Sequence, residues 1–168
     1  MMIRITFLAI VFALVASSCG SRKESRAAAN TEVKEIIQED LPEHPLIRYV
    51  RTPCFGTCPS FELLAFSTGR ITYDGKNFVD NVGLFTGTWN SDEIGSIFAI
   101  AEQINYFELL DSYDNKLVMD LPSITTELWD GSKMKSVLSR YQRPEELNKL
   151  YEALDKLIAN TTWTAASE

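Results

Sequence analysis

From Leu46 onward the chain carries short runs in which apolar and polar side chains exchange places at every second position, the period of a half-buried β-strand. LIRYVRT (46–52) sets Ile47, Tyr49 and Arg51 against Leu46, Arg48 and Val50. SFELLAFS (60–67) and GRITYDG (69–75) follow, separated by Ser67-Thr68-Gly69, where glycine can take the positive φ of a hairpin turn. Asp74-Gly75 is a second dipeptide of the favoured turn kind, so a turn is predicted there. NFVDNVGLFTGTW (77–89) supplies a further strand with a bulge or kink at Gly83.

The period then changes. After Trp89, Asn90 or Ser91 suits a helix N-cap and Asp92 and Glu93 suit the positive end of its dipole. Ile94, Ile97, Phe98, Ala101 and Ile104 fall on one face at helical spacing. Residues 104–123 read as an ordered, aromatic-rich loop in which Pro122 stops any helix. ITTELWDGSKMKSVLSRY (124–141) is another hairpin, turning at Asp130-Gly131. A second helix is predicted over 144–160: Pro144 fits the first helical position, and Leu147, Leu150, Tyr151, Leu154, Leu157 and Ile158 form an apolar stripe for core packing. The order β-β-β-β-α-β-β-α, hairpin-linked and without βαβ alternation, predicts an α+β domain over 46–160: a single antiparallel sheet with two amphipathic helices on one face.

Upstream the pattern is neither helical nor strand-like. Residues 1–18 place Arg4 before an apolar run from Ile5 to Ala16, too short to span a bilayer comfortably, and end in small residues, which describes an export signal. Ala16-Ser17-Ser18-Cys19 looks like a relaxed bacterial lipobox, although the usual leucine three positions before the cysteine is absent. Cys19 is therefore the expected lipidation site, and the expected partner is a membrane surface gripped by acyl chains, each buried methylene adding ~0.8 kcal/mol. Residues 19–45, polar and charged, read as a flexible tether, and 161–168 as a C-terminal tail. The expected location is the bacterial cell envelope, facing periplasm or cell surface.

Charge removes whole classes of function. The 168-residue chain has a formal net charge of −7, which becomes −8 once a leader containing Arg4 is cut away. Such a chain has no basic footprint for nucleic acid. The one histidine, His44, lies between Pro42 and Pro45, so no Ser-His-Asp arrangement is credible, and there is no P-loop or dinucleotide fingerprint. Asp111, Asp114 and Asp120 share one loop and could meet a cation or serve acid–base work, although solvated loop charges have the same appearance.

One block has its own character. IRYVRTPCFGTCPSFEL resembles the bacterial family known as domain-of-unknown-function family 6438, through Arg51, Thr52, Cys54, Phe55, Gly56, Cys58, Pro59 and Phe61. The resemblance continues through the strand at 69–75, Asp120 to Pro122 and the closing helix, and covers about 46–160. Where that family often has tyrosine after Cys-Pro, this chain has Phe61 two positions on, so any role for that tyrosine's hydroxyl is absent here. The resemblance implies an exported protein or lipoprotein, implies no known reaction, and makes Arg51, Phe55, Gly56 and Asp120 candidate binding residues.

Cys54 and Cys58 admit three chemistries. With Cys19 given to lipid, an even pair remains in an oxidising compartment, and a tight turn across Phe55-Gly56-Thr57, with Gly56 as the permissive residue, can bring them to disulfide distance. A redox couple is the second, although the spacing is Cys-x3-Cys with no thioredoxin-like pattern after it. A metal site is the third: two thiolates and His44 leave zinc one ligand short, to be supplied by Asp120 or another carboxylate. The functional expectation is a non-enzymatic binding or scaffold lipoprotein without cofactor or metal, taking an envelope protein or ligand; the alternative is a thiol-redox or metal-dependent envelope enzyme centred on Cys54 and Cys58.

Overall fold

The structure, a computed structural model, describes residues 44–118 and 120–166; the predicted leader, Cys19 and the tether up to Glu43 lie outside them. Eight strands make one sheet: β1 (Ile47–Arg51), β2 (Ser60–Ala65), β3 (Arg70–Asn77), β4 (Gly83–Thr88), β5 (Ser112–Tyr113), β6 (Ile124–Trp129), β7 (Met134–Ser139) and β8 (Thr164–Ala165). Their spatial order is β5-β7-β6-β1-β2-β3-β4-β8. The helices are α1 (Ser91–Gln103) and α2 (Leu147–Asn160), with a 3-10 turn at Tyr106–Glu108.

Strand alternation sorts the two faces of the sheet. Ile47, Tyr49, Leu63, Ile71, Tyr73, Leu128 and Val137 are buried in one cluster with Ile94, Ile97 and Ala101 of α1 and Leu147, Leu150 and Leu154 of α2. Both helices therefore cover the same face, and each fully buried aliphatic side chain contributes about 1.5–3 kcal/mol. The other face is polar at its centre, where Arg48 bridges Glu62 (2.6 Å) and Glu127 (3.0 Å).

The architecture is α+β with a mostly antiparallel sheet, as the patterning predicts, but the sheet is wider and mixed. β5 lies parallel to β7, pairing Ser112 with Leu138 and Tyr113 with Ser139. β8 extends the opposite edge, pairing Ala165 with Phe85. Strands of two residues carry no readable alternation, so both escape periodicity. The aromatic loop after α1 is ordered by Tyr106, which is fully buried and donates its hydroxyl to the Thr126 carbonyl (2.6 Å).

Local signals at the helix ends hold with one shift. Asn90 caps α1, its side chain accepting from the amides of Asp92 and Glu93 while the Glu93 carboxylate accepts from the Asn90 amide, a reciprocal capping box. Pro144 does not open α2. Leu147 and Asn148 donate back to Pro144 and Glu145 (3.3 and 3.0 Å), an i→i+3 turn that precedes the helix proper by three residues.

The predicted turn at Asp74-Gly75 is not one. β3 runs through both residues, and the chain reverses over 78–82 instead. Glycine is present because the Asn81 carbonyl folds back over the strand, where a Cβ on Gly75 would stand 1.8 Å from its oxygen. The sequence signal was a close backbone approach rather than a hairpin.

Candidate functional site

β1 ends, β2 begins, β3 ends and β4 begins at one end of the sheet. The cysteine-bearing connection 52–59, the connection 78–82 and the last turns of α2 consequently gather there. Together with Trp163 they enclose a cleft of about 520 Å³, within the range of small-ligand sites. Its apolar walls are Phe61, Tyr73, Phe78 and Trp163; Asp80, Asn81 and Asp155 supply its polar groups.

Three of these rings, Phe61, Tyr73 and Trp163, meet in a run of tilted contacts. Phe61 and Tyr73 have centroids 5.1 Å apart, as do Tyr73 and Trp163, and the Trp163 indole N–H is held by the Ile158 carbonyl (3.2 Å). Phe61 and Tyr73 are almost wholly buried, so they form the floor. Phe78 is different: 59% exposed and in the left-handed backbone region at φ 54°. A bulky side chain there carries a conformational cost of order 1–3 kcal/mol. Fixed at the rim, it is presented to solvent.

Behind the floor lies an Arg–Asp–Tyr cluster. Arg51, the last residue of β1, donates through Nη2 to Asp155 on α2 (2.5 Å) and through Nε to the Tyr49 hydroxyl (2.7 Å). Tyr49 donates to the other Asp155 oxygen (3.1 Å), closing the triangle. The guanidinium carbon stands 5.5 Å from the Tyr49 ring centre and 5.9 Å from that of Phe61. Burial raises the Asp155 carboxyl above its ordinary range against the opposing pull of Arg51. Burial likewise drives the Tyr49 hydroxyl up, with Arg51 opposing. Tyr73 is pushed up to about 12, by burial first and then by the charges of Asp80 and Asp155. The cleft is thus a partly desolvated, carboxylate-bearing environment.

Cys54 and Cys58 form a disulfide with Cα atoms 5.7 Å apart. Their sulfurs are committed to each other, which removes the thiolates a metal site would need. His44 stacks on Trp129 (centroids 5.9 Å), at the far end of β1 from the cysteines. Among the described residues no group of three or more His, Cys, Asp or Glu is placed to hold a metal ion.

The candidate binding residues divide. Arg51 serves the cleft from behind, and Phe55 stands 90% exposed at the tip of the disulfide loop. Gly56 donates its amide to Cys54 Sγ (3.2 Å) and does not use positive φ, so the loop needs no glycine for its conformation; a Cβ there would meet only Cys54 Sγ at 3.7 Å. Asp120 is exposed with φ 67°, three residues before Ser123, whose amide bonds the Thr52 hydroxyl (2.8 Å); the carboxylate paired with Arg51 is Asp155, not Asp120. Asp111 and Asp114 are separately occupied by Lys135 and Arg140. Sequence reasoning missed Tyr73, Phe78, Asp80, Asp155 and Trp163. For Asp155 a signal existed, since it sits in the inward row of α2, four residues after Tyr151 and three before Ile158.

No curated protein and no solved structure matches the chain. A family model does match, that of a domain of unknown function, DUF6438, over residues 45–158, a span that holds the disulfide loop, Arg51 and Asp155 and stops short of Trp163. The chain belongs to the DUF6438 family.

Proposed function

We propose that this protein is a cell-envelope lipoprotein, anchored through Cys19, whose domain is a non-enzymatic binding module with the aromatic cleft as its binding site. The observation that carries the binding reading is Phe78, a large apolar side chain held in an unfavourable backbone region and displayed at the rim of the cleft. Unfavourable conformations persist where the surrounding structure enforces them, and they concentrate at ligand clamps. The disulfide supports the reading by restraining the connection that carries Pro59, another cleft-lining residue. The anchor rests on the apolar leader and the small residues before Cys19.

Two measurements test it. Palmitate labelling of cells should mark the wild-type protein and not Cys19→Ser; an unlabelled wild type ends the lipoprotein reading. Crosslinking in the native envelope should recover a partner that Phe78→Asp loses while the variant still melts cooperatively. Turnover of a substrate by the purified protein, abolished by a single cleft substitution, would replace binding by catalysis.

A further inference from the structure

Resting on that reading of the cleft, we propose that its occupant is a lysine side chain of a partner polypeptide, its stem against the rings and its ammonium beside Asp80 and Asp155. The lining holds two carboxylates and no cationic residue. Arg51 neutralises Asp155 from behind. Asp80 is exposed at the mouth and makes no ion pair among the described residues. One negative charge is thus left in a cleft walled by Phe61, Tyr73, Phe78 and Trp163, a combination suited to a cation with an apolar stem.

The geometry selects lysine over arginine. Both Asp155 oxygens already accept a hydrogen bond, one from Arg51 and one from Tyr49, so a bidentate guanidinium finds an open carboxylate edge only at Asp80 and none at Asp155. A compact ammonium with three rotatable donors needs no such edge. The rim selects a polypeptide over a free amine. Phe78 lines the cleft and is 59% exposed, while Val82 and Phe55, 65% and 90% exposed, lie outside the lining on the two connections at that end of the sheet. A small amine filling the cleft would leave these side chains in water, whereas apolar residues flanking a lysine would cover them.

The test uses the full-length lipidated protein in detergent and two fluorescein-labelled peptides, acetyl-Leu-Lys-Leu-amide and the same peptide with norleucine for lysine, read by anisotropy. The lysine peptide should bind about tenfold more tightly than its neutral isostere, an advantage that Asp80→Asn removes and 0.5 M salt reduces. Equal binding of the two peptides, binding by neither, or an advantage that survives Asp80→Asn would overturn the proposal. The envelope crosslink keeps its failure distinct from that of the site. A partner lost by Phe78→Asp and retained by Asp80→Asn leaves the cleft as the site without the lysine; a partner retained by both removes the cleft itself.

Discussion

Arg51 and Asp155 lie 104 residues apart in sequence and share a hydrogen bond that ties the end of the central strand to the last helix. Because Asp155 is half exposed and Arg51 less so, the pair stands between a surface ion pair and a buried one. Arg51→Met should cost about 1–2 kcal/mol, since it leaves a partly desolvated carboxylate without its cation and removes the donor to the Tyr49 hydroxyl. A double-mutant cycle with Asp155→Ala in urea should return a coupling of about 1 kcal/mol. A coupling near zero would mean that the bond contributes only position.

The disulfide closes a loop with a sequence separation of four. In the chain-entropy model so short a closure contributes only ~2 kcal/mol. Cys54→Ser combined with Cys58→Ser should therefore remain folded, lower the urea midpoint, and leave the m-value unchanged. A double mutant unfolded at 25 °C would show that the staple holds the cleft end of the sheet together.

Gly75→Ala places a methyl group where the Asn81 carbonyl now lies. Backbone cannot give way as a flexible side chain does, so the substitution should cost about 3 kcal/mol or displace the 78–82 connection. Thermal melting checks the first outcome, and protease sensitivity within 78–82 the second. Loss of peptide binding together with cleavage there would follow from the position of Phe78 in the same connection.

Asp130 accepts from the Ser132 and Lys133 amides and from the Ser132 hydroxyl at the β6–β7 turn, and these bonds hold its carboxyl below the usual range. A carboxyl depressed in the folded state stabilises above its unfolded pKa, and that stability disappears as pH falls through the folded value. The stability difference between wild type and Asp130→Ala should be constant at neutral pH and shrink below about pH 4. A difference that does not change on acidification would show that the loop geometry, not the ionised carboxylate, sets the turn.

Tyr73 carries the opposite sign. Burial pushes its hydroxyl up to about 12, above the ordinary tyrosine value of about 10, so its contribution is full below pH ~10 and is lost as pH rises towards 12. Difference absorbance between wild type and Tyr73→Phe should place the tyrosinate signal of this residue near pH 12. A signal near 10 would mean that the cleft floor is open to water.

What the sequence could show follows from the range of each interaction. α1 was readable because Asn90, Glu93 and the apolar row through Ala101 all act within a few residues. The Gly69 and Asp130 turns are equally local. Asp74-Gly75 misled because a turn and a backbone crossing both call for glycine, and only the position of Asn81 separates them. The cleft was unreadable as a unit, since its aromatic residues come from β2, β3, the 78–82 connection and the segment after α2. Phe61 belonged to the cysteine block, whereas Trp163 fell in the stretch taken as a tail. Arg51 was singled out without its partner, since nothing in β1 points to a particular carboxylate on α2.

The place of β1 has a mechanical consequence. It is the first strand among the described residues, and hydrogen bonds to β2 and β6 run along both of its edges. Its far end is fastened by the Arg51–Asp155 bond, immediately before the disulfide loop. Tension applied at His44 and resisted at the cleft would therefore run along the strand and load both ladders in shear, all rungs together, instead of unzipping them one at a time.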